Sequence, residues 1–555
     1  MFLMNLIFKN VFALQSSYWR AFWGELLMRN AVNTDMNPAK TQKAIVLFLC
    51  GIVLSGLLCT TPILAQPSAA ALTSAQSDSL AAKALADLRS DLANLFADSA
   101  IANAHVGIHV ASLKSKEVLF ARNDTKSFVP ASNMKIVSTA AAMDFLGADF
   151  RYTTTVFLDG LLKKSSGEFV GNVIIRGAGD PSMSQYFYPD PMSILHQWCD
   201  TFDSLGIRSI RGNIVGDDSY LEDEPWGEGW SWDDIPYSFS AQLSALSFND
   251  NKVDIIAKPA FSLGQIADAM VIPTTNYVSV VNSVRTVPKD SANGINATRQ
   301  AYSNVIYLSG TIAPPADSTQ EPRRTSSVAV DNPTLFLVSL FKRTLSERGI
   351  TVRGSIYDAK QWDDKIAYTE LRPVAYTTSP PLKDIIRNIN TISNNLAAEL
   401  VWRTAAKEFS GKGSAEKGEV LVQKFMEKNG LSTKGMIVAD GSGLSRFNII
   451  SPKHLVGILT AMHNSRNKAA FTRSLAVPGE KGTLQSRLKN TIAATAVKAK
   501  TGTLTNVSSL SGYITTRDQE PLVFSMIFNN YTVSSSIIRN IQDLVCMRLA
   551  GFSRR

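Results

Sequence analysis

The strongest constraint on this chain is a change of texture that occurs twice. Segment 129–148 has helical periodicity, with Ile136, Ala140 and Phe145 on one stripe. From 151 to about 380 the chain becomes short β-rich pieces broken by Gly, Pro, Asp and Asn. Helical periodicity then returns: Leu382, Ile385, Ile386 and Ile389 mark one amphipathic helix, and Leu396, Leu400 and Val401 another. A polar break, Asn390 to Asn395, separates those two helices. Such an order predicts one domain assembled from two distant stretches, with β-rich material inserted between them. At 555 residues the chain has room for several cores.

Finer signals fill in this plan. Segment 104–123 alternates apolar and polar residues around a Ser-Lys-Ser-Lys turn and reads as a β-hairpin. Its His105 and His109 would lie about 13 Å apart at strand rise, too far to share a metal. Pro130 followed by small residues predicts a helix opening near Ser132. Within the insertion, a helical stretch and Gly-Ile lead into Arg-Gly-x-Ile twice, at 192–214 and 333–356. This weak internal repeat would place two neighbouring units in one sheet, interrupted by 250–330. Near the end, 496–504 and 510–516 read as paired strands, followed by a closing helix.

Composition excludes several classes. With 45% hydrophobic and 19% charged residues, wholesale disorder is ruled out. The net charge of +9 invites nucleic acid, but the N-terminus argues otherwise. Residues 44–58 form an uncharged apolar run after Lys40 and Lys43, with small residues following at 65–70. Fifteen residues are short for a bilayer span and fit a cleaved secretory signal; an uncleaved anchor is the alternative. Met36 is a candidate true start, so 1–65 is an extension plus signal. Leu58 before Cys59 disfavours a lipoprotein signal. Removing 1–65 leaves 51 basic and 45 acidic residues, an excess that suits an anionic envelope surface. Of the four cysteines only Cys199 and Cys546 then remain, too few for a disulfide framework.

Three short motifs carry chemistry. Ser132-Asn133-Met134-Lys135 puts a hydroxyl and an amine three positions apart, on one face of a helix. A serine needs a base to become a nucleophile, and a lysine serves when burial and a neighbouring cation keep it neutral. Ser393-Asn394-Asn395 places a hydroxyl and a carboxamide in the interhelical break. Lys500-Thr501-Gly502 lies on a predicted strand, where Gly502 would leave room for a substrate backbone. Ser-x-x-Lys, Ser-x-Asn and Lys-Thr-Gly, in this order and context, form the set used by penicillin-binding proteins and class A β-lactamases. Ser132 and Ser393 stand 261 positions apart, and Ser393 and Lys500 107.

On these motifs, together with GAGDPSMS (177–184), DGSGLSRFN (440–448) and VPGEKGTLQSRL (477–488), the chain resembles the D-alanyl-D-alanine carboxypeptidase/endopeptidase family of low-molecular-mass, class C penicillin-binding proteins (peptidase family S13). The long first gap is similar to that family's insertion of extra domains and tells against a compact β-lactamase. The resemblance implies an α+β fold: a penicillin-binding-protein/β-lactamase-like transpeptidase domain, an antiparallel sheet flanked by helices, formed by 78–150 with 381–555. Two smaller β-rich domains would be inserted, 151–257 with 325–380, and 258–324 nested within it. It also implies an exported or periplasmic hydrolase of peptidoglycan stem peptides ending in D-Ala-D-Ala, and of their cross-links. β-Lactams would be covalent inhibitors, no metal or other cofactor would be needed, nucleic acid would not be a partner, and association with the membrane surface or wall would be peripheral.

By the same resemblance Ser132 is the nucleophile and Lys135 its base, while Ser393 and Asn395 pass protons and hold the substrate amide. Lys500 and Thr501 bind the terminal carboxylate, and the N–H groups of Ser132 and Thr503 form the oxyanion hole. Asp234 and Arg446 would bracket an amino-acid centre of the stem peptide, with Asp233 an equal candidate by position. Phe239 reads as a core residue, with packing at that centre the alternative, and Trp226, Trp230 and Trp232 as packing of the insertion, with glycan stacking the alternative. Lys481-Gly482-Thr483 mimics the third motif out of order and belongs to a loop. No Glu stands out after Ser393-Asn394-Asn395 to activate a deacylating water, so slow release of penicillin is expected. A β-lactamase and a silent wall-binding module are the alternatives.

Overall fold

A computed structural model describes residues 74–554 except 223, 316–323 and 363–364. The extension and signal read in 1–65 lie outside the described residues.

Strand Pro521–Asn529 (PLVFSMIFN) is apolar nearly throughout, which a strand covered on one face only would not be. It lies at the centre of a five-stranded antiparallel sheet, in the order Val497–Leu504, Val507–Thr515, Pro521–Asn529, His105–Ser112, Val118–Arg122. Its alternate residues enter two different cores. Leu522, Phe524, Met526 and Phe528 pack with Leu88 and Leu92 of helix Ser74–Leu95 and with Ile538, Val545 and Leu549 of the closing helix Ser535–Ala550. Val523 and Ile527 pack on the other face with Ile136, Val137, Trp402 and Leu459, from helices Met134–Leu146, Asn395–Ser410 and Pro452–Asn464. Segments separated by more than 300 residues thus share one sheet and two apolar layers.

The intervening stretch has its own core, built around Leu195, Trp198, Phe202, Leu337 and Phe341. Helices Met192–Ser204 and Pro333–Glu347 meet there edge to face, with the Trp198 and Phe341 rings 5.6 Å apart. The repeat seen in the sequence appears as two parallel strand pairs, Thr351↔Ser209 and Ile356↔Ile214, in a seven-stranded sheet. Two smaller sheets follow. Lys252–Lys258 lies between Asp268–Ile272 and Arg324–Ala329, and four further strands between 279 and 312 pair among themselves. The architecture is therefore α+β, a helix-covered antiparallel sheet carrying a β-rich insertion. Cys199 and Cys546 are each buried and unpaired. No described helix is long and apolar enough to cross a membrane.

Candidate active site

The turn that delivers Ser132 is short and tight. Ala131–Asn133 forms one 3-10 turn before helix Met134–Leu146, and Ala131 has φ +49°, a conformation that costs a non-glycine residue about 1–3 kcal/mol. The surroundings hold the turn in place. Ser509 Oγ donates to the Pro130 carbonyl at 2.6 Å, and Asn133 Nδ2 to the Lys500 carbonyl at 3.1 Å. Gly443, at φ +83°, is required here because a Cβ on it would sit 1.9 Å from the Ala131 carbonyl oxygen. Gly502 is bare for a similar reason. An added Cβ would meet Ser509 Oγ, the Pro130 carbonyl and Ser132 N within 3.0 Å, so its missing side chain admits the protein's own turn.

One helical turn on, Lys135 is fully buried and donates to three acceptors: Ser132 Oγ at 3.0 Å, Asn395 Oδ1 at 2.6 Å and the Ser442 carbonyl at 2.6 Å. Burial pulls its amine down to about 7 against the opposing fields of Asp440 and Glu399. An amine so lowered has the proton affinity that a general base working near neutral pH needs.

The second motif caps two helices at once. Ser393 ends Leu382–Ile392 in a left-handed conformation, φ +67°, and Asn394 caps Asn395–Ser410 by accepting from Ala397 N at 3.0 Å. The carboxamide of Asn394 also donates to Asp250 Oδ1 at 2.9 Å, tying the motif to the insertion. Burial pushes the Asp250 carboxyl up to about 6. Asn395 Nδ2 donates to the Phe239 carbonyl at 2.8 Å, a second such tie. The loop holding Lys481-Gly482-Thr483 supports this break from beneath, with Thr483 N on the Thr391 carbonyl at 3.0 Å.

Lys500, fully buried on Val497–Leu504, donates to Ser393 Oγ at 2.9 Å and to the Thr501 carbonyl at 2.8 Å. Burial, then the charge of Lys135, holds its amine well below the usual lysine range. Ala499 exchanges both backbone bonds with Ala476 across the free edge of the strand. By strand alternation Thr501 and Thr503 direct their backbone groups to that same edge. The structure thus holds Lys135 with Ser132 and Asn395, and Lys500 with Ser393, as two hydrogen-bonded groups near enough that the charge of Lys135 acts on Lys500.

Asp234 and Arg446 lie near enough for each to feel the other's charge. Burial raises the Asp234 carboxyl, and so does Asp233, while Arg446 lowers it. Arg446 is exposed and donates to the Thr505 carbonyl at 2.8 Å. Asp233 is exposed and Asp234 partly covered. Phe239 is not a core residue: it is 45% exposed and stacks on Tyr237 at 5.4 Å, because its backbone, rather than its ring, is what the site holds. Trp232 is 83% exposed and Trp226 packs edge-on against Tyr302. Trp230 does more than pack the insertion, since its Nε1 donates to Asp440 Oδ2 at 2.9 Å.

Asp440 and Glu399 escaped the sequence reading. The buried Asp440 carboxyl receives five donors: Trp230 Nε1, Ser442 Oγ, Gly443 N, Ser445 N and Asn448 Nδ2. It shapes the 440–448 loop that presents the Ser442 carbonyl to Lys135. Glu399, also fully buried, accepts from Ser442 N at 2.7 Å. The available signal was a carboxylate on the buried, largely apolar helix starting at Asn395. Among the described residues no group of three or more His, Cys, Asp or Glu is placed to hold a metal ion.

The model of the D-Ala-D-Ala carboxypeptidase 3 (S13) family matches residues 88–550. A D-alanyl-D-alanine carboxypeptidase of Actinomadura sp. (strain R39) is 30% identical over 546 residues, covering 95% of each chain. Penicillin binding protein 4 of Haemophilus influenzae shares the fold, with a TM-score of 0.71 at 22% identity over 83% of this chain and all of that one. A structure of that protein complexed with a β-lactam superposes with a TM-score of 0.65 at 21% identity, over 82% and 98% of the two chains. A match spanning almost the whole described chain, together with a relative of equal extent, settles the kinship: the protein belongs to the D-Ala-D-Ala carboxypeptidase 3 (S13) family.

Proposed function

We propose that the protein is an exported serine hydrolase that cleaves peptidoglycan stem peptides ending in D-Ala-D-Ala, and the corresponding cross-links, through an acyl-enzyme on Ser132. The observation that supports this best is the 3.0 Å contact between Ser132 Oγ and the amine of a fully buried Lys135. Neutral Lys135, its two hydrogens on Asn395 Oδ1 and the Ser442 carbonyl, takes the hydroxyl proton on its lone pair as Ser132 Oγ attacks the penultimate D-Ala carbonyl carbon. The oxyanion that forms is met by the N–H groups of Ser132 and Thr503, and losing one such donor costs about 10²–10³ in rate. As the C–N bond breaks, the proton held by Lys135 passes to the leaving amine, with Ser393, which Lys500 orients, as the relay, and Lys135 is neutral again. Water then cleaves the ester and returns the hydroxyl.

Lys500 and Thr501 receive the terminal carboxylate, whose negative charge favours the protonated form of the buried Lys500 amine beside a hydroxyl. Gly502 lets the strand and the Ser132 turn close on the substrate backbone from one side. Asn395 holds the substrate amide. Asp234 meets an ammonium and Arg446 a carboxylate, a pairing that selects a diaminopimelate-type side chain. A penicillin would acylate the same Ser132. In this reading 78–150 and 381–555 carry the chemistry, while the insertion, 151–257 with 325–380 and the nested 258–324, supplies Asp234 and the ties to the second motif. The apolar run behind Lys40 and Lys43 supports export to the periplasm or envelope.

Substituting Ser132→Ala in the full chain tests the assignment. Hydrolysis of a D-Ala-D-Ala peptide and covalent labelling by penicillin are expected to disappear together. Labelling that survives the substitution would remove Ser132 from the mechanism.

A further inference from the structure

We infer that Glu399 is a positioning residue for Lys135, holding the Ser442 peptide so that its carbonyl takes one hydrogen of the lysine, and that its charge sets the pH at which Lys135 becomes a base. The inference rests on the reading of Lys135 as the base of Ser132. Three placements support it. Asn395 and Glu399 stand one helical turn apart and reach Lys135 from the same side, the first directly and the second through a single peptide unit. That peptide is used at both ends: Ser442 N donates to Glu399 Oε1 at 2.7 Å, and its carbonyl accepts from Lys135 Nζ at 2.6 Å. The other Glu399 oxygen, Oε2, is buried without a hydrogen-bond partner, with Arg403 Nε only at 3.9 Å.

Even with the Gly441 backbone and Ser442 as donors, a fully buried carboxyl is unfavourable unless the site needs its charge. The groups facing it are few. Arg403 lies on its own helix and passes its other end to Glu224 of the insertion, Nη1 to Oε2, at 2.6 Å. Asp440 faces it from the loop, and Lys135 senses Glu399 from helix Met134–Leu146. Lys135 is faced in turn by Asp440, Glu399 and Lys500. Burial, then Asp440, pushes Glu399 up to about 7, while burial brings Lys135 down to about 7. The two groups therefore titrate in the same range, and the charge on one governs the proton on the other.

The test is the pH profile of kcat/KM for a D-Ala-D-Ala tripeptide, and of acylation by a penicillin, in Glu399→Gln. Glutamine keeps an acceptor for Ser442 N and removes the charge. Lys135 should then lose its proton more readily, moving the acid limb to lower pH by about one unit while the rate at pH 8 stays within about threefold. An unmoved limb would overturn the inference. Should Glu399→Gln fail to fold, as a thermal melt would show, Glu399→Asp retains the charge but withdraws it from Ser442 N. It should lower kcat about tenfold with the limb in place, and a parental kcat would be fatal. Retained penicillin labelling in Ser132→Ala would instead sink the reading beneath, so the two failures are distinguishable.

Discussion

The two walls of the crevice are built in opposite ways. On one, Lys135, Lys500, Glu399 and Asp440 are sealed from water and each is held by specific partners. On the other, Arg446 and Phe239 stand in solvent, with Asp234 partly covered. Burial is the working agent on the first wall: it strips hydration from two amines and lowers both, which is what the proposed role of Lys135 as base requires. The second wall keeps its charges hydrated, ready to exchange water for a ligand at small cost. Losses on the buried wall should therefore appear in the chemical step, and losses on the rim in recognition.

The largest expected effect comes from Lys135→Met, which retains the aliphatic bulk and deletes the amine. A general base contributes roughly 10²–10⁴, so kcat should fall by about 10³ at every pH while the fold persists in a thermal melt. The parent should show kcat/KM climbing through pH about 7, because below it Lys135 is protonated and cannot take the Ser132 proton. A profile flat between pH 5 and 8 would contradict the contrast between the walls.

The buried wall was also the legible one, up to a point. Ser132 and Lys135 are three residues apart, Ser393 and Asn395 two, and Lys500 opens its own triplet, so local spacing sufficed. The sheet was legible because its strands and covering helices keep clean periods. What stayed hidden acts over distance. Trp230 meets Asp440 across 210 residues and Asn394 meets Asp250 across 144, contacts that no periodicity announces. Phe239 misled because an aromatic residue among apolar neighbours suggests burial, whereas its carbonyl is the part in use. Glu399 was overlooked because charge on a buried helix face runs against the pattern that identified the helix.

An intermediate effect should arise where the insertion touches the second motif. Aspartate caps a helix as well as asparagine does, so Asn394→Asp leaves the cap and reverses only the contact with Asp250. Two carboxyl groups at hydrogen-bond distance cannot both ionise without cost. The single variant should lose about 1–3 kcal/mol in a thermal or urea melt, with activity down about tenfold. Adding Asp250→Asn restores a donor opposite the new carboxylate. The double variant should recover most of both losses, giving a coupling energy of the same size in a double-mutant cycle. Independent, additive losses would mean that the insertion does not hold the motif.

The smallest effect belongs to the rim and shows whether the walls differ in kind. Asp234→Asn and Arg446→Gln remove one charge each from exposed or half-covered positions and leave the hydrogen-bonded cluster around Ser132 intact. A hydrated ion pair with a ligand contributes on the order of 0.2–1 kcal/mol. KM for a diaminopimelate-type peptide should therefore rise about two- to fivefold in each variant, with kcat and the rate of penicillin acylation near the parent's. A peptide lacking the side-chain ammonium and carboxylate should be processed equally by all three proteins. If either substitution instead lowered kcat tenfold with KM unchanged, the rim residue would be acting in the transition state, and the division between a wall for chemistry and a wall for recognition would have to be redrawn.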